Sequence, residues 1–323
     1  MNGAPDEFAW IAGLRPLTRG DARALHLKDD AAVLPSRPGF DLVISQDAMV
    51  EGVHVLAGEA PDVIARRLLR TSLSDLAAKA AEPFGYFLMT SWPADRDEAW
   101  RDAFAKGLAV DGEAFGVALL GGDTVSTSGP LTVCATVLGW APSGRTVLRS
   151  GARAGDALMV CGPIGDGWLG LGAARGRVAD PQGRLANHYR LPTPLLMLRE
   201  ALGEYANAAA DVSDGLLADA GHIAEASGLG LAIDLAALPL SAEAAAWREA
   251  QTDPVAALAK LATGGDDYAI VGAVSPERMA LFAEAVTAEG VQVGRVGTFV
   301  AEPGVAVSVE GARVEIDRLG WRH

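Results

Sequence analysis

The sequence predicts an α+β protein built as two mixed α/β domains. Three observations carry this reading. The 323 residues exceed the roughly 150 that one domain usually takes. A turn-rich segment, Trp140–Asp156 (WAPSGRTVLRSGARAGD), separates two apolar runs near the middle of the chain and is the natural place for a boundary. Strand-like and helix-like periods mix in both halves without strict alternation, which argues against a single doubly wound sheet. The expected domains are 1–140 and 150–323.

Taken in order, Glu7–Gly13 reads as a helix and Ala31–Leu34 as a short strand entering the turn Pro35–Gly39. Asp41–Ser45 (DLVIS) is short, apolar and β-branched, a strand pattern. Across Pro61–Ala81, the residues Val63, Ile64, Leu68, Leu69, Leu73, Leu76 and Ala80 follow the helical period. Phe84–Ser91 reads as a strand, Arg96–Val110 as a helix, and Gly116–Leu120 and Leu131–Gly139 as two further strands. In the second half, strands are expected at Asp156–Cys161, Leu231–Leu235 and Tyr268–Val274, and through most of Val291–Val314. Helices are expected near Thr193–Leu202 and at Leu216–Ser227, Ala242–Gln251, Val255–Ala262 and Pro276–Glu289.

Composition narrows the function. Half of the residues are hydrophobic and 21% are charged, enough apolar material for a packed core. With 27 Lys and Arg against 41 Asp and Glu, the net charge is −14. Such a surface repels phosphate backbones and anionic lipid, so neither nucleic acid nor membrane is an expected partner. No apolar run reaches the ~18 residues of a bilayer span. The start, MNGAPDEFAW, lacks the basic and apolar regions of a signal peptide. Cys134 and Cys161, both in apolar runs, form neither a disulfide framework nor a zinc cage, so a cytoplasmic location is expected. His26, His54, His188, His222 and His323 are scattered, without zinc spacing.

No Walker P-loop and no G-x-S-x-G elbow is present. Gly165-Asp-Gly167-Trp-Leu-Gly170 does match G-x-G-x-x-G after a strand. The region some twenty residues on is polar and broken by Pro and Gly, so a flexible turn at a strand end is the better reading. The aspartates say more. Asp29-Asp30, Asp47, Asp75, Asp123, Asp211 with Asp214, and Asp266-Asp267 each lie beside an apolar segment. Taken singly, each also reads as a turn or helix cap. Together they fit hard divalent cations, because carboxylate oxygens bind Mg²⁺ while it holds substrate phosphates.

The ordered set KDDAAVL, ISQDAMVEGVH, SLSDLAAKAA, LLGGDT, LRSGARAGD, DVSDGL, GGDDYAI and LGW resembles the thiamine-monophosphate kinase family, of the aminoimidazole ribonucleotide synthetase superfamily. The likeness spans about Asp29 to Trp321. It implies an N-terminal α+β domain that binds ATP and Mg²⁺ and whose sheet pairs across a homodimer. A C-terminal α+β domain would complete the nucleotide and substrate site. The implied reaction is the last step of thiamine diphosphate biosynthesis, phosphorylation of thiamine phosphate by ATP with several Mg²⁺ ions. By position in these motifs, Asp30, Ser45, Gln46, Asp47, Asp75, Asp123, Asp211 and Asp214 would serve the metals. Gly122, Asp123, Arg149 and Ser213 would serve ATP, and His54, Asp266 and Trp321 thiamine phosphate. Arg149 also reads as a surface charge, Trp321 as a core-capping aromatic and His54 as a hydrogen-bonded loop histidine.

Some positions depart from the family pattern. Lys28 stands where Gly precedes the Asp pair, Gln46 where Thr is common, Asp266 where Glu is usual and Ala269 where a second Glu is usual. Arg190 is separated from Pro192-Thr-Pro194 by Leu191 and is left out of the site. The acceptor in such a reaction is already an anionic phosphate, so charge neutralisation and in-line placement dominate. No side chain is assigned as nucleophile or general base. The readings that compete are another ATP-using member of the superfamily, a non-catalytic nucleotide-binding protein and, more distantly, a dinucleotide oxidoreductase.

Overall fold

A computed structural model describes residues 7–321. Residues 1–6 and 322–323, His323 among them, lie outside the described residues. The chain divides into two compact units, 1–76 with 81–144, and 77–80 with 145–323.

The first unit begins with α1 (Glu7–Leu14) and two short 3-10 segments, Arg15–Thr18 and Ala22–Leu27. Next come β1 (Phe40–Val50), α2 (Pro61–Ala78), β2 (Glu82–Pro93), α3 (Glu98–Ala114), β3 (Ala118–Thr127) and β4 (Thr132–Pro142). The sheet order is β1-β4-β2-β3. Only β2 and β3 run parallel, and α3 is their crossover; the other pairs are antiparallel. Proline at the first helical position starts α2 without losing a hydrogen bond. Its apolar stripe, Ile64, Leu68, Leu69, Leu73 and Leu76, is fully buried with Phe104 and Leu108 of α3 and with Tyr86, Leu88 and Val137 of the sheet. Ala80, at φ +56, turns the chain out of the helix. Asp97 caps α3 by accepting from the Trp100 N–H at 2.8 Å. At Gly107 a Cβ would stand 2.5 Å from the Asp62 carbonyl, so glycine sets the spacing of α2 and α3.

The expected strand at Ala31–Leu34 does not form. The segment is irregular, and its apolar content is used instead to pack Ala32 and Leu34 against Leu120 and Leu138. Leu138 pairs with Ile44, so this segment covers part of the sheet face turned away from the helices; on the rest of that face, Leu42 and Ile44 of β1 and Val125 of β3 are 40%, 56% and 46% exposed.

The second unit holds β5 (Ala157–Cys161), α4 (Asp166–Ala174), α5 (Arg184–Arg190), α6 (Arg199–Tyr205), β6 (Ala206–Asp211), α7 (Leu216–Ala226) and β7 (Gly230–Asp234). After these come α8 (Ala242–Glu249), α9 (Pro254–Ala262), β8 (Ile270–Val274), α10 (Met279–Ala288), β9 (Val293–Val300), β10 (Gly304–Val309) and β11 (Ala312–Arg313). The sheet order is β11-β10-β7-β9-β5-β8-β6. Leu158 and Val160 of β5 pack into one core with α7, whereas Met159 and Cys161 pack into another with α6 and α10. Both faces are therefore covered, which is why β5 and β8 read as unbroken apolar runs. The helix expected at Thr193–Leu202 is a 3-10 turn, Leu196–Leu198, followed by α6. Cys134 and Cys161 are free and buried. No helix among the described residues is long and apolar enough to cross a membrane.

The G-x-G-x-x-G stretch has a structural explanation. Each of its glycines allows a close approach: a Cβ would stand 2.5 Å from the Leu261 side chain at Gly165, and 2.2 Å from the Asp266 and Leu185 carbonyls at Gly167 and Gly170. The N–H groups of Gly165 and Gly167 donate to the Asp267 carboxylate at 2.9 Å. Those are the donors a pyrophosphate would need in a dinucleotide fingerprint.

Candidate active site

In the first unit, alternation along β1 sends Ser45 and Asp47 toward the helices and Gln46 to the open face. Asp75 comes from α2. The Ser45 hydroxyl donates to Asp75 Oδ2 at 2.5 Å. The Asp47 carboxyl is pushed up to about 6, first by burial and then by the charge of Asp75, while the Ser72 hydroxyl works in the other direction. Among the described residues, neither carboxylate has an ion-pair partner. Two hard oxygen donors with unbalanced charge, each beside a serine hydroxyl, suit Mg²⁺. Among the described residues no group of three or more His, Cys, Asp or Glu converges on one point.

Other predicted residues stand apart from this pair. The Gln46 amide donates to Thr136 Oγ1 at 2.7 Å on the open face, so only its main chain lies beside Ser45 and Asp47. Asp123 sits on β3, at the opposite edge of the sheet from β1, three strand spacings or about 14 Å away. It is exposed, and its Oδ1 accepts from the Thr124 N–H at 3.0 Å. Just before it, the β2–β3 register slips between Tyr86 and Phe87, a bulge that re-aims the residues beyond it. At Gly122 a Cβ would lie 1.9 Å from the Leu88 carbonyl, so only glycine fits. Asp30 is exposed in the irregular segment after the second 3-10 turn. His54 closes the turn after β1, and its Nδ1 accepts from the Val50 N–H at 3.1 Å. That bond places the proton of the neutral ring on Nε2, making Nε2 a donor suited to an anion.

In the second unit the structure gathers the predicted residues more tightly. Two loops, Asp211–Gly215 and Gly264–Tyr268, are zipped by main-chain bonds. The Asp266 N–H donates to the Ser213 carbonyl and the Tyr268 N–H to the Val212 carbonyl, both at 2.8 Å. Gly265 makes the approach possible, since a Cβ there would meet the Ser213 carbonyl at 2.5 Å. The Trp321 N–H donates to the Asp214 carbonyl at 2.8 Å, which ties the chain's end to the same loop. Asp214 and Trp321 line a 750 Å³ cavity with Ala218, Gly221 and His222. The Trp321 ring is 59% exposed, and the Arg318 guanidinium lies 5.9 Å from its centroid, so the ring already attracts a cation.

The sequence reading missed Asp219 of α7 and gave no role of their own to Asp267 and Tyr268, which it named only within a cluster and a motif. Asp219 is buried and accepts from the loop's N–H groups. Its carboxyl is pushed up to about 7 by burial and by the Asp214 charge, against those bonds and the charge of Arg149. Asp267 is buried and stands well above the usual carboxylate range, burial outweighing the N–H groups of Gly165 and Gly167. Tyr268 donates its hydroxyl to Asp266 Oδ1 at 3.0 Å. Asp266 and Tyr268 both have left-handed backbones, at φ +62 and +52. Asp tolerates that conformation better than the Glu usual there, which gives a local reason for the departure at 266.

Comparison with known proteins identifies the family. Residues 28–141 match the family model "AIR synthase related protein, N-terminal domain", and residues 153–310 match its C-terminal counterpart. The chain is 59% identical over 320 residues to the thiamine-monophosphate kinase of Caulobacter vibrioides, covering 99% of this chain and 91% of that one. It superposes on the crystal structure of thiamine-monophosphate kinase from Stenotrophomonas maltophilia K279a with a TM-score of 0.83 at 32% identity, covering 95% and 98% of the two chains. A further structure, described as AaThiL complexed with AMPPCP and TMP, gives a TM-score of 0.78 at 26% identity, covering 98% and 96%. With two AIR synthase related domains and near-complete coverage by such relatives, this chain belongs to the thiamine-monophosphate kinase family of enzymes.

Proposed function

We propose that this chain transfers the γ-phosphoryl group of ATP to the phosphate of thiamine phosphate, giving thiamine diphosphate and ADP. The observation that carries the reading is the Asp47–Asp75 pair: two half-buried carboxylates, one raised by burial and then by the other's charge, with no protein cation paired to them among the described residues. Family membership, and the relative whose printed description names AMPPCP and TMP, support both substrates.

The acceptor is a phosphate oxygen that is anionic at neutral pH, so no protein base has to activate it. Bound Mg²⁺ supplies charge neutralisation and a template for in-line attack. Ser45, Asp47 and Asp75 would hold it in the first unit, with the Gln46 main chain, Asp30 and Asp123 as further oxygen donors. Asp211 and Asp214 would do so in the second unit. Gly122 leaves room for a nucleotide to approach the main chain, while Arg149 and Ser213 donate to its phosphates. His54 Nε2–H would donate to the thiamine phosphate anion, and Asp266 would accept from its amino group. The exposed Trp321 face suits the thiazolium cation. Transfer is direct, without a phosphoenzyme. The open sheet face bearing Leu42, Ile44 and Val125 suits pairing with a second copy, giving a homodimer. The reaction is placed in the cytoplasm as the last step of thiamine diphosphate biosynthesis.

A coupled ADP-release assay tests the proposal, with thiamine phosphate and thiamine as alternative acceptors. Turnover with thiamine phosphate alone, abolished in Asp75→Asn, is expected. ADP release that ignores the acceptor, or turnover that survives Asp75→Asn, would overturn it.

A further inference from the structure

The loop that carries Ser213 and Asp214 is held from behind by a residue that lies just beyond the DVSDGL stretch. Asp219 lies in the first turn of α7, with 1% of its surface exposed. Its Oδ2 accepts from three consecutive main-chain N–H groups: Ser213 at 3.0 Å, Asp214 at 3.0 Å and Gly215 at 3.2 Å. An ordinary N-cap lies before its helix and accepts from N–H groups inside it. Here the geometry is reversed: the acceptor is the fourth helical residue, and its donors precede the helix. Three successive N–H groups form a concavity that binds anions, and Asp219 fills it from within the protein.

The carbonyls of the same loop are committed elsewhere. The Ser213 carbonyl accepts from Asp266 and the Asp214 carbonyl from Trp321. With its N–H groups bound to Asp219 and its carbonyls to those two residues, the loop has one main-chain orientation. The other Asp219 oxygen, Oδ1, lies 3.7 Å from His222 Nδ1, and His222 lines the cavity shared by Asp214 and Trp321. Gly215, at φ +126 and with a would-be Cβ 2.9 Å from the Thr263 main chain, lets the three N–H groups turn toward one oxygen.

We infer that Asp219 is a positioning residue: by gathering the N–H groups of Ser213, Asp214 and Gly215, it aims the Asp214 carboxylate and the Ser213 hydroxyl outward to metal and nucleotide. It touches no reacting group. The inference rests on the proposed kinase reading only for the ligands' identity; the aiming of the loop stands on its own geometry.

Full-length wild type, Asp219→Asn and Asp219→Ala would be compared by amide hydrogen exchange, Mn²⁺ binding without nucleotide, thermal melting and steady-state kinetics. In metal-free wild type, the amides of 213, 214 and 215 are expected to be protected. In folded Asp219→Asn, their exchange should rise at least about tenfold and Mn²⁺ should bind about tenfold more weakly, in the range of lost outer-shell partners. The KM for ATP should rise more than the KM for thiamine phosphate. Unchanged exchange and Mn²⁺ affinity in a folded variant would overturn the inference. Were neither variant to fold, wild-type exchange decides alone: protected amides support the inference and unprotected ones refute it. If exchange and Mn²⁺ binding change as expected but thiamine phosphate is never phosphorylated, the kinase reading fails and the positioning role stands.

Discussion

Asp75 in the first unit rides on an 18-residue helix, while Asp214 in the second sits in a short loop whose N–H groups are pinned by a buried carboxylate. The two regions solve one problem differently. In the first, regular elements supply the precision: β1 alternation and the α2 face set Ser45, Asp47 and Asp75, and the repulsion between the two carboxylates is left standing. In the second, loops supply the ligands. Their shape is fixed by glycines at close approaches and by Asp219 and Asp267, which absorb main-chain N–H groups. A site on helix and strand can tolerate uncompensated charge because its backbone is already satisfied. A site on loops must first satisfy its backbone, and here buried acids do so.

The sharpest way to break this contrast is at Asp75. Asp75→Asn removes a like charge from a pair that packing does not need, so activity should fall by about a thousandfold while the melting temperature holds or rises. A melting temperature lowered with activity would mean that the pair is structural. Next in size is Gly122→Ala, whose Cβ would lie 1.9 Å from the Leu88 carbonyl. It should destabilise by about 2–3 kcal/mol, measured by urea unfolding.

Asp267→Asn tests the loop side through pH. The folded-state pKa of Asp267 is raised above the unfolded 3.8. Its contribution to stability is therefore present below that value and is lost as pH rises through the folded value. Asn does not titrate. The melting temperature of the variant minus that of wild type should become more positive from about pH 4 to about pH 8; a flat difference would contradict burial as the cause. The smallest effect is expected for Asp266→Glu. It should cost about 0.5–1 kcal/mol at the left-handed backbone position and weaken the Tyr268 contact, shifting the KM for thiamine phosphate more than kcat.

Legibility in the sequence follows the same divide. α2 showed itself because burial on one face imposes a period, and β1 through a short β-branched apolar run; the aspartates they carry stood out against both. β6 (ANAAAD) did not, because alanine has little strand preference; Ala208, Ala209 and Ala210 are strand only because they are buried beside β8. α5 (RLANHYR) buries just Leu185 and Tyr189, too little for a periodic signal. Ala31–Leu34 had the composition of a strand but no partner to pair with. Asp219 was hidden for a different reason. An acid in the first turn of a helix reads as a surface charge that suits the helix dipole, and nothing local shows that the chain behind it folds back to donate three N–H groups.

The central claim, phosphate-to-phosphate transfer without a protein nucleophile, is tested most directly by ³¹P NMR of wild type with Mg²⁺, ATP and thiamine phosphate. The account predicts thiamine diphosphate signals growing in step with ADP, with no inorganic phosphate and no phosphoprotein resonance. ADP accumulating with inorganic phosphate while thiamine phosphate is unchanged would contradict it.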